Sequence, residues 1–169
     1  WPWEIMNGVE RLIGNLCRRC RPPLDISPAE WAEKHRRMSS AETAFVGRFS
    51  FLMVPYFRWL IDRYTDPAVR KIVCRKAAQV GWTQNIISNL LGYIAAIEKT
   101  TCIVMFPKEG AARNFDREKF TPMVESTPML AALLPARSRV KDVTTLFKSF
   151  PGGFEKFVGS NSISDVKST

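Results

Sequence analysis

The sequence predicts an α/β fold built on a parallel β-sheet, with its functional loops at the carboxyl ends of the strands. Three observations lead to this prediction. The short apolar and β-branched run 72–74 is followed by a loop and then by a segment of helical periodicity. The run 100–106, rich in Ile, Val and Phe, is followed by a second helical segment. Pro151-Gly152-Gly153 separates two further strand-like runs and is typical of a hairpin.

Cap and turn residues set the bounds of the other elements. Ser27 is suited to cap a helix, and Pro28 to occupy its first position. The face of that helix is only weakly apolar, so we expect it to dock on the surface. Pro55 opens a further helix with apolar residues at helical spacing, which Asp66-Pro67 ends. Altogether we predict helices over about 3–16, 27–38, 55–65, 84–97, 109–126 and 127–134, and strands over 72–74, 100–106, 143–150 and 154–159.

The loop after the first predicted strand has the pattern of a phosphate-binding loop whose lysine is displaced. The usual loop reads G-x-x-x-x-G-K-S/T and lies between a buried strand and a helix. Gly81 and Thr83 match the last glycine and the hydroxyl residue. Trp82 stands where the lysine belongs, and Lys76 replaces the first glycine.

The chemistry of phosphate binding is compatible with this displacement. A polyphosphate binds backbone N–H groups at a helix N-terminus, where the helix dipole contributes about half a positive charge. Gly81 permits a close backbone approach, and Thr83 offers a hydroxyl to a metal ion. Lys76 can reach the phosphates from the other end of the loop, because lysine is a point charge on a long flexible stem. The alternative is a strand–loop–helix connection with an incidental glycine and threonine.

Composition places the chain among globular proteins with a polyanionic partner. A length of 169 residues is about one domain, and 46% hydrophobic with 24% charged residues is ordinary for such a protein. The net charge of +9 indicates a nucleic-acid partner, with a solvated basic face as the alternative. Residues 1–40 hold seven Lys/Arg and five Asp/Glu, a net charge of +2, so the other +7 lies in residues 41–169.

Membrane-spanning and disulfide-stabilised classes are disfavoured. No apolar run reaches the roughly 18 residues that a spanning helix needs. Residues 1–14 also lack the basic-then-apolar order of a secretory signal. Cys74 and Cys102 lie in strand-like runs, so we expect buried thiols and a reducing compartment.

Cys17 and Cys20 have the spacing of half a zinc site. His35 is a candidate third ligand, but a structural zinc site needs four and the sequence offers no evident fourth. We therefore favour the alternative, in which the neighbouring arginines form a solvated or phosphate-contacting cluster.

Seven short motifs, taken in order, resemble the large terminase subunit of tailed phages, in the branch typified by phage lambda. Each motif is weak alone, but their order and spacing are specific, and that family has the same displaced loop lysine. The resemblance covers about residues 27–169. The motifs are Trp31-Ala32-Glu33, Gly47-Arg48, Pro55-Tyr56, the loop 76–84, Phe106-Pro107, Phe120-Thr121-Pro122 and the segment 154–162.

The resemblance implies a P-loop NTPase fold of the ASCE type. Residues 41–169 would be the N-terminal part of the ATPase domain, with a parallel-sheet core, and residues 1–40 a preceding helical segment. It further implies an ATP-driven motor in the host cytoplasm that moves double-stranded DNA into the procapsid. The full protein would carry a nuclease domain that cuts concatemeric DNA. Its implied partners are the small terminase subunit, the portal of the procapsid and further copies of itself in a ring.

The resemblance also assigns residues to the nucleotide. The loop that it implies for ATP is Lys76, Ala77, Ala78, Gln79, Val80, Gly81, Trp82, Thr83 and Gln84. Within it, Gln79 would lie beside the γ-phosphate, and the Thr83 hydroxyl would contact Mg²⁺. Arg48, Phe49 and Tyr56 are the candidate adenine contacts, although each aromatic ring is also a candidate for the core.

The sequence departs from the family pattern in its acidic residues. ATP hydrolysis needs a second-strand Asp for Mg²⁺ and an acidic residue that orients water, and no match to either is found. Asp62 follows an apolar run of helical spacing, and Asp165 lies alone in a polar stretch. We therefore expect no catalytic residue in this chain and no activity from it alone. The alternative function is a non-catalytic, basic nucleic-acid-binding module, the remnant of a prophage gene.

Overall fold

A computed structural model describes residues 25–134 and 146–160, together with Glu10 and Ile13, which are helical. Helices α3 and α4 are continuous but change pitch along their length. The helices are α1 (Pro28–His35), α2 (Pro55–Asp62), α3 (Thr83–Ile87, Ser88–Tyr93 and Ile94–Glu98), α4 (Glu109–Phe115, Asp116–Phe120 and Thr121–Ser126) and α5 (Pro128–Leu133). The strands are β1 (Arg37–Met38), β2 (Gly47–Arg48), β3 (Cys102–Phe106), β4 (Phe147–Phe150) and β5 (Gly153–Gly159).

The larger sheet contains a parallel pair of strands, as the predicted α/β fold requires. Its strand order is β3-β5-β4, with β3 parallel to β5 and β4 antiparallel to β5. The predicted hairpin is confirmed, since β4 and β5 are joined at Gly152, whose φ of +104° favours glycine. The described fold is thus a mixed arrangement of helices and sheet. Strands β1 and β2 form a separate antiparallel pair.

An aromatic cluster joins the larger sheet to α4. The Phe157 ring on β5 lies 5.3 Å from Phe115 and 5.2 Å from Phe120, both edge-on. Phe106 on β3 lies 5.1 Å from Phe115. Edge-on aromatic pairs contribute about 0.5–1.5 kcal/mol each beyond the area that they bury. The cluster therefore fixes α4 against one face of the sheet.

Helix α1 begins as predicted but is more deeply buried than predicted. Ser27 Oγ accepts from Glu30 N at 3.2 Å, and Glu30 Oε2 accepts from Ser27 N at 3.3 Å, which completes a capping box. The expectation of surface docking is wrong, because Trp31 is fully buried against Gly92 of α3. A Cβ at Gly92 would collide with the Trp31 ring. The helix ends at His35 rather than near residue 38, since Arg36 is extended and leads into β1.

The predicted strand 72–74 is not part of a sheet. Among the described residues no strand pairs with it, and Ile72 and Val73 are 42% and 80% exposed. Cys74 is exposed, so its predicted burial is wrong, whereas Cys102 is half-buried in β3. β-Branched residues favour a pleated, half-buried surface, and that preference is realised only where neighbouring strands supply one.

Several sequence predictions lie outside the described residues. They include most of the helix 3–16, the Cys17/Cys20 segment, the start of strand 143–150 and the polar stretch with Asp165. Within the described part of the chain, no helix is both long enough and apolar enough to cross a membrane.

Candidate functional site

The backbone of the candidate phosphate-binding loop contains two left-handed residues. Gln79 has φ +56° and Gly81 has φ +78°, immediately before α3 begins. A residue other than glycine with positive φ costs roughly 1–2 kcal/mol, so the backbone at Gln79 is locally strained. Left-handed residues within a turn point successive N–H groups into a concavity that suits anions. The loop backbone thus has a shape compatible with phosphate.

Glycine is favoured at position 81 by the backbone conformation and by the packing of Asn85. Its positive φ disfavours residues with a side chain, and a Cβ would lie 2.6 Å from Asn85 Nδ2. Asn85 Nδ2 donates to the Gly81 carbonyl at 2.9 Å, and so does the Asn85 backbone N–H, also at 2.9 Å. The glycine therefore turns the chain and also ties the loop to the first turn of α3.

Trp82 occupies the position of the usual lysine because that position faces the core. Its ring lies 6.1 Å from Phe57 of α2 in an edge-on arrangement, and the side chain is half-buried. A lysine here would place its charge against an aromatic ring rather than toward the loop opening. Thr83, the next residue, is exposed. The indole thus packs α3 against α2, while the Thr83 hydroxyl is accessible to a metal ion.

Lys76 belongs to an exposed basic segment on the N-terminal side of the loop. The segment is exposed from Arg70 to Gln79 and includes Lys71 and Arg75 as well as Lys76. Among the described residues none of these four cations forms an ion pair with a carboxylate. Four unneutralised charges on one exposed segment attract a polyanion.

The first section of α3 has the wider turn of a π-helix. The Ser88 N–H donates to the carbonyl of Thr83, five residues earlier. π Sections are rare and occur frequently at functional sites, because they reorient carbonyl groups and side chains. Here the carbonyl of Gln84 accepts from Arg36 Nη1 at 2.6 Å. The start of α3 is therefore held by a side chain from another part of the chain.

Arg36 is fully buried beside the loop. Its Nη2 lies 3.0 Å from Glu42 Oε2, and neither side chain is exposed to solvent. Its guanidinium also lies 5.0 Å from the centre of the Phe49 ring. Burial lowers the pKa of Arg36 to about 10, while the charge of Glu42 opposes the decrease. The guanidinium is thus charged at neutral pH.

Sequence reasoning did not identify Arg36, Glu42 or Asn89 as part of the site. Arg36 donates to Glu42, six residues away, and to Asn89, 53 residues away. A separation of 53 residues is longer than any short motif, and an arginine next to a helix end is common in protein sequences. The fold alone brings these residues together.

The candidate adenine contacts differ in accessibility. Phe49 is 5% exposed and packs edge-on against Phe51 at 4.8 Å, which favours the core alternative for that ring. Tyr56 is 60% exposed and lies 4.5 Å from Phe57, the ring that Trp82 contacts. Arg48 is exposed, and its Nε donates to the Glu33 carbonyl at 2.8 Å. Adenine contact stays a prediction for Arg48 and Tyr56.

A Mg²⁺ site at the Thr83 hydroxyl stays a prediction. No group of three or more His, Cys, Asp or Glu side chains in the described ranges could hold a metal ion. Mg²⁺ is commonly held by one or two protein oxygens together with phosphate oxygens and water, which suits an exposed Thr83 hydroxyl. Burial and the charges of Lys34 and Arg37 lower the pKa of His35, the candidate zinc ligand.

Comparison with known proteins identifies a matching family and related proteins. Residues 43–169 match the family described as "Phage terminase large subunit gpA, ATPase domain". The large terminase subunit of Escherichia phage lambda is 25% identical over 149 residues, which cover 88% of this chain and 23% of that protein. The large terminase subunit of Enterobacteria phage P21 is 23% identical over 132 residues, which cover 78% of this chain and 20% of that protein.

The chain spans about a fifth of the length of these curated relatives. No solved structure matches it.

Proposed function

Because the chain belongs to the family of ATPase domains of the phage terminase large subunit gpA, we propose that it contributes the nucleotide-binding loop of a viral DNA-packaging motor. The observation that carries the proposal is the loop itself. Gln79 and Gly81 turn the backbone through left-handed conformations directly before α3, beside an exposed and unpaired Lys76. Anion binding at a helix N-terminus needs this combination of N–H groups and a mobile cation.

Each residue of the loop has a proposed role toward ATP. Lys76 supplies a positive charge to the phosphates, and Gly81 allows the backbone to approach them. Thr83 offers its hydroxyl to Mg²⁺, which when bound would neutralise phosphate charge. Gln79 is proposed to contact the γ-phosphate. The remaining loop residues, Ala77, Ala78, Val80, Trp82 and Gln84, contribute backbone groups or packing.

At the level of the whole protein, we propose that ATP hydrolysis drives double-stranded DNA into the procapsid. Hydrolysis needs acidic residues for Mg²⁺ and for the attacking water, and this chain is proposed to supply the phosphate-binding part of that site. Cutting of concatemeric DNA, a ring of copies around DNA, and contacts with the small terminase subunit and the portal are proposed for the complete protein. The host cytoplasm is the proposed compartment.

A second candidate function is a basic nucleic-acid-binding module without nucleotide binding. The net charge of +9 and the exposed cations Arg70, Lys71, Arg75 and Lys76 favour it. Such a module would bind DNA with a steep dependence on salt, because binding releases counterions from the phosphates. Salt dependence is common to both functions, so the response to nucleotide separates them.

Binding of a fluorescent ATP analogue in the presence of Mg²⁺ tests the proposal. We expect saturable binding to the 169-residue chain and an affinity at least about 10-fold weaker in Lys76→Ala, since a charge-assisted contact to phosphate is lost. Lys71→Ala is the matched control, because it removes the same charge from the same exposed segment. Equal losses in both variants would contradict a specific role of Lys76, and the absence of saturable binding to the unmodified chain would favour the nucleic-acid module.

A further inference from the structure

Glu42 is buried and forms hydrogen bonds with three segments of the chain. Its Oε2 accepts from Arg36 Nη2 at 3.0 Å and from Gln84 Nε2 at 2.6 Å. Its backbone carbonyl accepts from Lys119 Nζ at 2.9 Å, and its Oε1 accepts from Ser126 Oγ at 3.4 Å. Glu42 thereby joins the residue after α1 and the first turn of α3 to helix α4.

Arg36 extends this network to the candidate loop. Its Nη1 donates to the Gln84 carbonyl and to the side-chain oxygen of Asn89. Asn89 Nδ2 donates to the Asn85 carbonyl at 2.9 Å, and Asn85 Nδ2 donates to the Gly81 carbonyl at 2.9 Å. These bonds and the covalent link within Asn85 form a continuous connection between the buried Arg36 guanidinium and Gly81 of the loop.

Stability alone is a weak reason for such a pair. Two charges lose their hydration on burial, and apolar residues of similar volume are often equally stable or more stable in their place. A guanidinium has several donors in a rigid, planar arrangement, so it fixes the directions of its partners. Three of the partners of Arg36 are Glu42, the Gln84 carbonyl and the Asn89 amide. The pair therefore selects one orientation for the first turns of α3.

We propose that Arg36 and Glu42 are positioning residues that hold the start of α3, and through Asn89 and Asn85 the Gly81 turn, in the geometry that binds the phosphates of a nucleoside triphosphate. The inference rests on the proposed function. It assigns the role to residues that lie outside the loop and do not touch the ligand. Phe49 packs on the Arg36 guanidinium and belongs to this support.

Two variants separate positioning from folding. The double variant Arg36→Met with Glu42→Leu replaces both charges by apolar groups, so that no charge is left buried without a partner. The single variant Asn85→Ala removes the side-chain bond to Gly81 at the far end of the network and leaves the buried pair intact. The matched control is Arg113→Met with Glu109→Leu, the same exchange at an exposed ion pair of α4.

Amide hydrogen exchange without nucleotide measures the orientation of α3 directly. We expect the amides of Asn85 and Ser88, whose hydrogen bonds to the Gly81 and Thr83 carbonyls close the first turns of α3, to exchange about 10-fold faster in both variants. The amides of β3 and β5 and all amides of the control should keep their rates. Unchanged rates at Asn85 and Ser88, or equal acceleration throughout the chain, would overturn the proposal. If the double variant does not fold, Asn89→Ala replaces it, because that substitution removes the side-chain bonds that link the Arg36 guanidinium to the Asn85 carbonyl.

Affinity for the fluorescent ATP analogue with Mg²⁺ connects the turn to binding. We expect affinity about 10-fold weaker in the double variant and about 3-fold weaker in Asn85→Ala, with no change in the control. Altered exchange with unaltered affinity would contradict the positioning role. If the unmodified chain does not bind the analogue, the proposed function fails, whereas the exchange rates still decide whether Arg36 and Glu42 hold the turn.

Discussion

The two sides of the candidate loop are held very differently. On the N-terminal side, residues 70–77 are exposed and have no strand partner among the described residues. On the C-terminal side, the Gly81 carbonyl accepts from Asn85, and the Asn85 carbonyl accepts from Asn89. Asn89 in turn accepts from Arg36, which forms the buried ion pair with Glu42. The comparison indicates that the helix side sets the loop geometry, while the strand side carries exposed cations.

The largest expected effect is on the helix side. Glu42→Ala leaves the Arg36 guanidinium buried without its partner, and we expect the free energy of unfolding to fall by about 3–5 kcal/mol. Urea denaturation followed by circular dichroism measures the change. Glu109→Ala, which breaks an exposed ion pair with Arg113, should change it by less than about 1 kcal/mol. Equal effects of the two substitutions would show that burial of the pair has no energetic consequence.

The two cysteines of the strand-like runs should differ in reactivity. Cys74 is exposed on the strand side, whereas burial, together with the charges of Glu155 and Glu98, raises the pKa of Cys102 to about 11. The thiolate is the reacting form, so at pH 8 we expect Cys102 to react with iodoacetamide roughly 100-fold more slowly than Cys74. The rate at Cys102 should rise as the pH increases toward 11. Peptide mass mapping distinguishes the sites, and similar rates at pH 8 would place residues 72–74 inside the fold.

Gly81→Ala tests the turn where the two sides meet. Positive φ and a Cβ 2.6 Å from Asn85 Nδ2 should destabilise the local turn by about 1–2 kcal/mol, which corresponds to about 10-fold weaker nucleotide binding. Gly110→Ala is the matched control, because a Cβ there meets nothing within 4 Å. Titration with the fluorescent ATP analogue measures both variants. An unchanged affinity in Gly81→Ala would count against a backbone role for this residue.

The smallest expected effect is on the strand side. Val73 is 80% exposed, so Val73→Thr should change the free energy of unfolding by no more than about 0.5 kcal/mol. Val104→Thr in β3 brings a hydroxyl toward the core and should destabilise by about 1 kcal/mol or more. Thermal denaturation of the two variants provides the comparison. A larger loss of stability in Val73→Thr than in Val104→Thr would contradict the exposure of residues 72–74 and the packing of β3 against the core.

Local signals predicted much of the fold. The Ser27 cap, the Pro55 start and the Gly152 turn all act within a few residues of the chain, and the structure confirms each. The loop pattern 76–84 could also be recognised in the sequence, because the chemistry of a phosphate-binding loop requires specific residues at the start of a helix. The assignment of individual loop residues to ATP stays a prediction.

Non-local contacts account for the differences. The run 72–74 has the composition of a strand, but pairing depends on a neighbour that the run itself does not encode. The sequence of α1 has only a weakly apolar face, yet Trp31 is fully buried. Its ring fits because Gly92, which is distant in sequence, has no side chain. The Arg36–Glu42 network joins residues up to 84 positions apart, beyond the reach of any spacing rule.

The most direct test of the central claim is amide hydrogen exchange of the 169-residue chain with and without ATP and Mg²⁺. If the loop binds the phosphates through its backbone, the amides of residues 77–84 exchange more slowly with nucleotide, and those of β4 and β5 do not change. At a nucleotide concentration near the Kd of the unmodified chain, Lys76→Ala should remove most of the protection, because its affinity is at least about 10-fold weaker. Protection elsewhere, or none at residues 77–84 under conditions where the nucleotide binds, would contradict the assignment of this loop.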